Sequence, residues 1–380
     1  MKKKLRPCPL HAAWCLLAIV APPGAGAQMP PVVDPSNLYS ETTAGKLSPA
    51  VAGHLARVYV PNRQSNDVTV IDPATMKVID RIKVGINPQH IVPSWDLQTL
   101  WVTNNAEGRT DGTLTPIDPR TGKRRGPDVV VDDPYNMYAT PDGASAIVVA
   151  EARKRLDFRH PQTMAMQYSI DVPQCPGINH ADFSIDGKYV IFTCEYSGSL
   201  AKIDLLNRKV LGYLSLGKGR MPQDIRVSPD GKVFFVADMK ADGVHLIDGD
   251  SFTKVGFIQT GVGAHGLYPS RDGRKLYVAN RGSNKVWGPP RGKGSVSVID
   301  FATRKVETTW PIPGGGSPDM GNVSADGRTL WLSGRYDDLI YVIDTTTGAT
   351  STVKSPREPH GLTVWPQPGR YSLGHTGNLR

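Results

Sequence analysis

The chain has 380 residues, with 44 Lys+Arg against 35 Asp+Glu and a formal charge of +9. Lys2, Lys3, Lys4 and Arg6 crowd the start; without them the balance is 40 to 35, or +5. That mild, two-signed charge does not by itself indicate nucleic acid, and the length would suit either two domains or one ring of repeats.

The basic start leads into a short apolar stretch, Ala12 to Ala21, too short to span a bilayer. Ala25-Gly26-Ala27 fits a small-x-small cleavage site, so residues 1–27 read as a secretory signal and Gln28 as the mature start. Trp14 stands where a lipoprotein signal needs a small residue before Cys15. No other segment is long and apolar enough to cross a membrane, so a periplasmic or secreted protein is expected. Cys8 and Cys15 fall within the signal, which leaves Cys175 and Cys194 as a candidate disulfide in an exported chain.

Residues 28–56 form an N-terminal extension, and the repeats begin at Arg57. Their punctuation is an Asp-Gly turn: Thr140-Pro-Asp-Gly143, Ser184-Ile-Asp-Gly187, Ser228-Pro-Asp-Gly231, Ser270-Arg-Asp-Gly273 and Ser324-Ala-Asp-Gly327. Short runs before each turn read as innermost strands: His90–Ser94, Asn136–Thr140, His180–Ser184, Asp224–Ser228, Gly266–Ser270, Met320–Ser324 and Gly361–Trp365. Apolar runs after the turns read as second strands, and runs ending at Asp72, Asp118, Asp204, Asp248, Asp300 and Asp344 as third strands. In the third repeat, Leu156-Asp157 is the poor match. Arg57–Asn62 is a second strand with no inner strand before it, and Gly361–Trp365 is an inner strand left over at the other end. Their pairing completes a seventh blade and leaves no open edge. The expected fold is all-β: a seven-bladed β-propeller over 57–368 with four-stranded antiparallel blades, closed by N- and C-terminal strands. Residues 369–380 read as a tail lying on the ring.

Val58-Tyr-Val-Pro-Asn62, Leu100-Trp-Val-Thr-Asn104 and Leu276-Tyr-Val-Ala-Asn280 resemble the Tyr-Val-Thr-Asn repeat family of β-propellers over nearly the whole mature chain. The resemblance implies a seven-bladed ring, often exported and similar to bacterial periplasmic members. Its wider kin include the haem d1-binding propeller of cytochrome cd1 nitrite reductase. It says almost nothing about activity, because the fold hosts unrelated functions.

Strand order sends the loops entering each inner strand, and those joining second to third strands, to one face. That face holds the expected ligand site. Four histidines stand at its entry positions: His90, His180, His265 and His360. Imidazole ligates metals and moves protons near neutral pH. His90 and His180 lie one position later than His265 and His360, so strand alternation predicts that the four do not aim at one point. Their alternative role is to hydrogen-bond backbone at a tight corner. A metal site is left open on His180, His265 and His360. A copper-like set of Cys175, Cys194, His180, Met164 and Met166 lacks compact ligand spacing. Glu151, Glu195 and Asp238 end second strands on the same face, as acid/base candidates or turn caps. The loop 281–294 carries Trp287 and Arg291, suited to stacking or to an anion. No Cys-x-x-Cys-His is present, so no covalent c-type haem is expected, and the cofactor is otherwise unknown.

These features favour a binding or scaffold protein for a partner or a small anionic ligand at the loop face, more than an enzyme. One alternative is a metal- or haem-like-cofactor protein or enzyme using the four histidines. Another is a binder of single-stranded nucleic acid through the basic loops.

Overall fold

The computed structural model describes residues 28–286, 292–375 and 377–380. Seven sheets stand around a central channel. Blade 1 runs Thr363–Trp365, Arg57–Asn62, Asp67–Asp72, Lys77–Lys83 from the channel outward. Its innermost pairing, Val58 with Val364 and Tyr59 with Thr363, is the expected closure. Blades 2 to 7 have inner strands Pro88–Pro93, Pro134–Ala139, Ile178–Phe183, Pro222–Val227, Ala264–Pro269 and Pro318–Val323. The poor match in blade 3 is nonetheless a third strand, Arg155–Arg159, whose buried Asp157 pairs with Arg155 at 2.6 Å.

The Asp-Gly turns form for a local reason. In blade 5, Ser228 Oγ donates to Asp230 Oδ1 at 2.5 Å and accepts from Val233 N at 3.0 Å, while Gly231 takes φ 72°. The second blade keeps the same turn without glycine: Ser94 donates to Asp96, and Leu97 holds φ 63°.

Apolar side chains of neighbouring blades pack into the spaces between sheets, as Phe234, Ile191 and Leu267 do around blade 5. The channel wall is polar because inner strands have one edge without a sheet neighbour. Their exposed N–H groups need acceptors, and five blades supply a side-chain acceptor to the next. Tyr138 OH accepts from Ala181 N at 2.8 Å, Asp182 Oδ2 from Val227 N at 2.9 Å, and Asp224 Oδ2 from Leu267 N at 2.9 Å. Tyr268 OH accepts from Gly321 N at 2.8 Å and Asn322 Oδ1 from Val364 N at 2.8 Å.

The tail corrects one expectation. It does not lie on the ring but enters the channel from the Asp-Gly side. Ser372–Gly374 and Asn378–Leu379 pair with each other, and Gly374 pairs with Tyr138 of the blade 3 inner strand. His375 N donates to Met137 O at 3.0 Å, and Arg380 Nη2 to Asp182 Oδ1 at 2.8 Å. The N-terminal extension crosses the same face: Tyr39 OH donates to Val227 O at 2.6 Å, and Arg380 lies over the Tyr39 ring. The Asp-Gly face is thus covered by the chain's own ends.

Among the described residues, no helix is long and apolar enough to cross a membrane.

Candidate functional site

At the open face, the inner strands enter through a shared irregularity. Register shifts fall between Pro88 and His90, Ile178 and Ala181, Pro222 and Ile225, Ala264 and Gly266, and Pro318 and Gly321. A bulge of this kind breaks strict alternation of side chains. The four entry histidines do not all meet at one point, but the division is not the one alternation sets: His90, His180 and His360 converge, and His265 stands apart. The ring of His90 lies 5.4 Å from that of His180 and 4.9 Å from that of His360, centroid to centroid. A histidine that sequence reasoning placed on the surface, His375, joins them from below, 5.3 Å from His90 and 4.5 Å from His180. Gly361 permits this approach, since a Cβ there would stand 2.0 Å from His90 Nδ1.

His265 takes a different place. Its Nδ1 lies 2.8 Å from Asp319 Oδ1, and its Nε2 faces Arg281 Nη2 at 2.5 Å. Burial works to raise the Asp319 carboxyl, but Arg281 and then His265 outweigh it and hold it well below the usual range. His90, His180, His360 and His375 are fully buried, and burial pushes each well below the ordinary imidazole value. They are therefore neutral at pH 7, each with one lone pair and one N–H.

Above this layer opens a mouth pocket of about 90 Å³, which Arg63, Arg281, Arg335, Tyr135, Glu151 and Glu195 help to line. Arg335 is buried here, 3.2 Å from Glu358. Arg63 pairs with Glu358 and, at 2.9 Å, with the half-exposed Glu107, which also accepts from Asn87. Burial first, then the charge of Glu195, pushes the Glu151 carboxyl well up; burial also raises Glu195. Asp238 stands apart as a turn cap, accepting from the N–H groups of Met221, Lys240 and Ala241 at 3.0 Å each. Trp287 and Arg291 lie outside the described residues.

Cys175 and Cys194 form a disulfide with a Cα separation of 4.8 Å. This overturns the copper-like set, since the bond leaves no thiolate to bind soft metal. Met164 is buried in a core cluster of blades 2 and 3, and Met166 is exposed.

A model of YncE-like β-propellers matches residues 12–368. The chain belongs to the YncE-like β-propeller family. That bears out the repeat resemblance and the seven-bladed ring. The uncharacterised YncE proteins of Salmonella typhi and Salmonella typhimurium are each 25% identical over 287 residues, 69% of this chain and 73% of theirs. Among solved structures, hydrazine synthase of Kuenenia stuttgartiensis superposes with TM-score 0.60 at 17% identity, covering 82% of this chain and 95% of that one. The dihydro-haem d1 dehydrogenase NirN gives 0.60 at 14% identity, over 81% and 75%. These structural likenesses establish the fold alone.

Proposed function

We propose that this family member is an exported binding protein whose channel mouth takes a small anionic ligand, with the ring as its rigid frame. The supporting observation is Glu107. Its half-exposed carboxylate sits on a loop and occupies the place an anion would take, held by Arg63 and Asn87. Burial raises both Glu151 and Glu195, and the Glu195 charge raises Glu151 further, so this acidic pair opposes an anion less than two ordinary carboxylates would. Drug-sized ligands fill roughly 300–1,000 Å³, so a pocket of about 90 Å³ suits an inorganic anion or short carboxylate and not a haem-like macrocycle. Export is supported by the basic-apolar start and by the disulfide.

Calorimetry with phosphate and a panel of short mono- and dicarboxylates tests the reading. Glu107→Ala removes the internal competitor and is expected to tighten binding of whichever probe binds. Arg63→Met is expected to weaken it at least ~10-fold, the scale of one charged hydrogen bond. If Glu107→Ala leaves binding unchanged or weaker, the mouth is not the anion site.

A further inference from the structure

The mouth pocket runs on into a neighbour. Glu107, Glu151 and Tyr196 line it and also line a second pocket of about 300 Å³. The two differ in charge. The first carries Arg63, Arg281 and Arg335; the second carries Asp133 with Glu107 and Glu151, against the exposed Lys154. The arginines are already balanced: Arg281 by Asp319 at 2.6 Å, and Arg63 and Arg335 by Glu358. The acidic pair in the mouth is not. Among the described residues neither Glu151 nor Glu195 forms an ion pair, and Arg281 and Arg335 act on Glu195 only from beyond ion-pair distance.

Glu151 is the open member of this pair. Its backbone carbonyl accepts from Lys154 N at 3.1 Å, but its part-exposed carboxylate has no hydrogen-bond partner among the described residues. Glu195 is buried and accepts from Asn179 Nδ2 at 3.0 Å. Tyr135, which also lines the mouth, is only 9% exposed, and among the described residues its hydroxyl has no hydrogen-bond partner either. A buried hydroxyl and an unpaired carboxyl lining one cavity leave polar groups for a ligand to satisfy. On the basic side, Arg281 Nη1 faces only the Met239 thioether, at 3.5 Å, and keeps N–H groups for a stronger acceptor.

We infer that the mouth takes a short amino acid, a zwitterion whose carboxylate lies on the arginine side and whose ammonium lies against Glu151. This rests on the mouth being an anion site and adds a second charge to its ligand. A plain carboxylate has nothing to offer the acidic pair. An ammonium on the same ligand brings three N–H donors and a compensating charge. The groups facing Glu151 set the sign of the accompanying proton change. Burial first, then Glu195 and Asp133, with Glu107 behind them, hold its proton on; Arg63 works the other way. Tyr135 and Tyr196 stay neutral near pH 7, and solvent screens the exposed Lys154. An arriving ammonium favours the ionised pair, so binding releases a proton. A plain anion favours the protonated pair and draws one on.

Calorimetry on the mature full-length chain compares pairs that differ only by the amine: glycine with acetate, β-alanine with propionate, 4-aminobutyrate with butyrate. Each is run near pH 7 in two buffers of different ionisation enthalpy, which counts the protons exchanged. At least one amino acid is expected to bind ~10-fold or more tightly than its partner carboxylate, the scale of one charged hydrogen bond, and to release protons as it binds. Glu151→Gln keeps the size of the side chain and removes its charge. It is expected to remove both the preference and the proton release, while the plain carboxylate binds no more weakly than before. Circular dichroism and the melting temperature show that the variant stays folded. The inference is overturned if no amino acid outbinds its partner, if amino-acid binding takes up protons, or if Glu151→Gln weakens both members of a pair alike. Where the plain carboxylates or phosphate still bind and gain from Glu107→Ala, such a result sinks the zwitterion alone. Where no probe binds at all, the anion site falls with it.

Discussion

Asp133 shows how a single buried carboxyl responds to pH. It sits at φ 49° before Pro134; one oxygen accepts from Ala152 N at 2.6 Å, and the other is buried without a partner. Burial pushes its pKa up to about 6. The unfolded chain ionises near pH 4 and the folded chain only near pH 6. Stability therefore falls as pH rises across that window, and the loss is fully present at pH 7. Asparagine keeps the acceptor, removes the charge and tolerates this backbone region. Asp133→Asn is expected to stabilise the protein at pH 7 by on the order of 1–2 kcal/mol after solvent screening. The gain should shrink toward zero below about pH 4. Urea titrations at pH 4 and pH 7 check this, and an equal effect at both would reject it.

At the scale of elements, the disulfide ties the strand entry of blade 4 to the end of that blade's second strand. Cys175 and Cys194 are 19 residues apart. Closing a loop of that size constrains the unfolded chain by roughly 3 kcal/mol. Replacing both with serine is expected to cost about that much, read as a lower urea midpoint with an unchanged slope. A midpoint equal to the parent's would show that the bond adds nothing. The strands were legible in the sequence because turn chemistry is local: a Ser, an Asp two residues on and a following Gly build the turn within five residues. The tail was not legible. Ser372–Gly374 is a three-residue strand, defined by pairing with Asn378–Leu379 and with Tyr138 of the blade 3 inner strand.

For the whole molecule, closure and plugging are separable. Truncation after Trp365 removes the tail but keeps the closing strand. Truncation after Glu358 also removes Leu362, Val364 and Trp365, all buried. At roughly 1.5–3 kcal/mol per fully buried large side chain, the second truncation is expected to cost on the order of 6 kcal/mol more. Melting curves of the two forms test it; equal midpoints would mean that blade 1 does not need its C-terminal strand.

The sequence by itself determined the repeat, the seven blades, the closing pair and the disulfide partners. Each rests on spacing, turn residues or unpaired edges, which act over short range or by simple count. Only the tertiary structure decided where the histidines point. Bulges at the entries of the His90 and His180 strands turn side chains that strict alternation would set apart toward one axis. The ring then brings together groups remote in sequence, such as Asn136 and His375, 239 residues apart. Arg63, Arg281 and Arg335 were dispersed charges on paper and became one buried mouth through Asp319 and Glu358. A channel at a ring's centre is shared by all seven blades at once, so no local stretch of sequence encodes its chemistry.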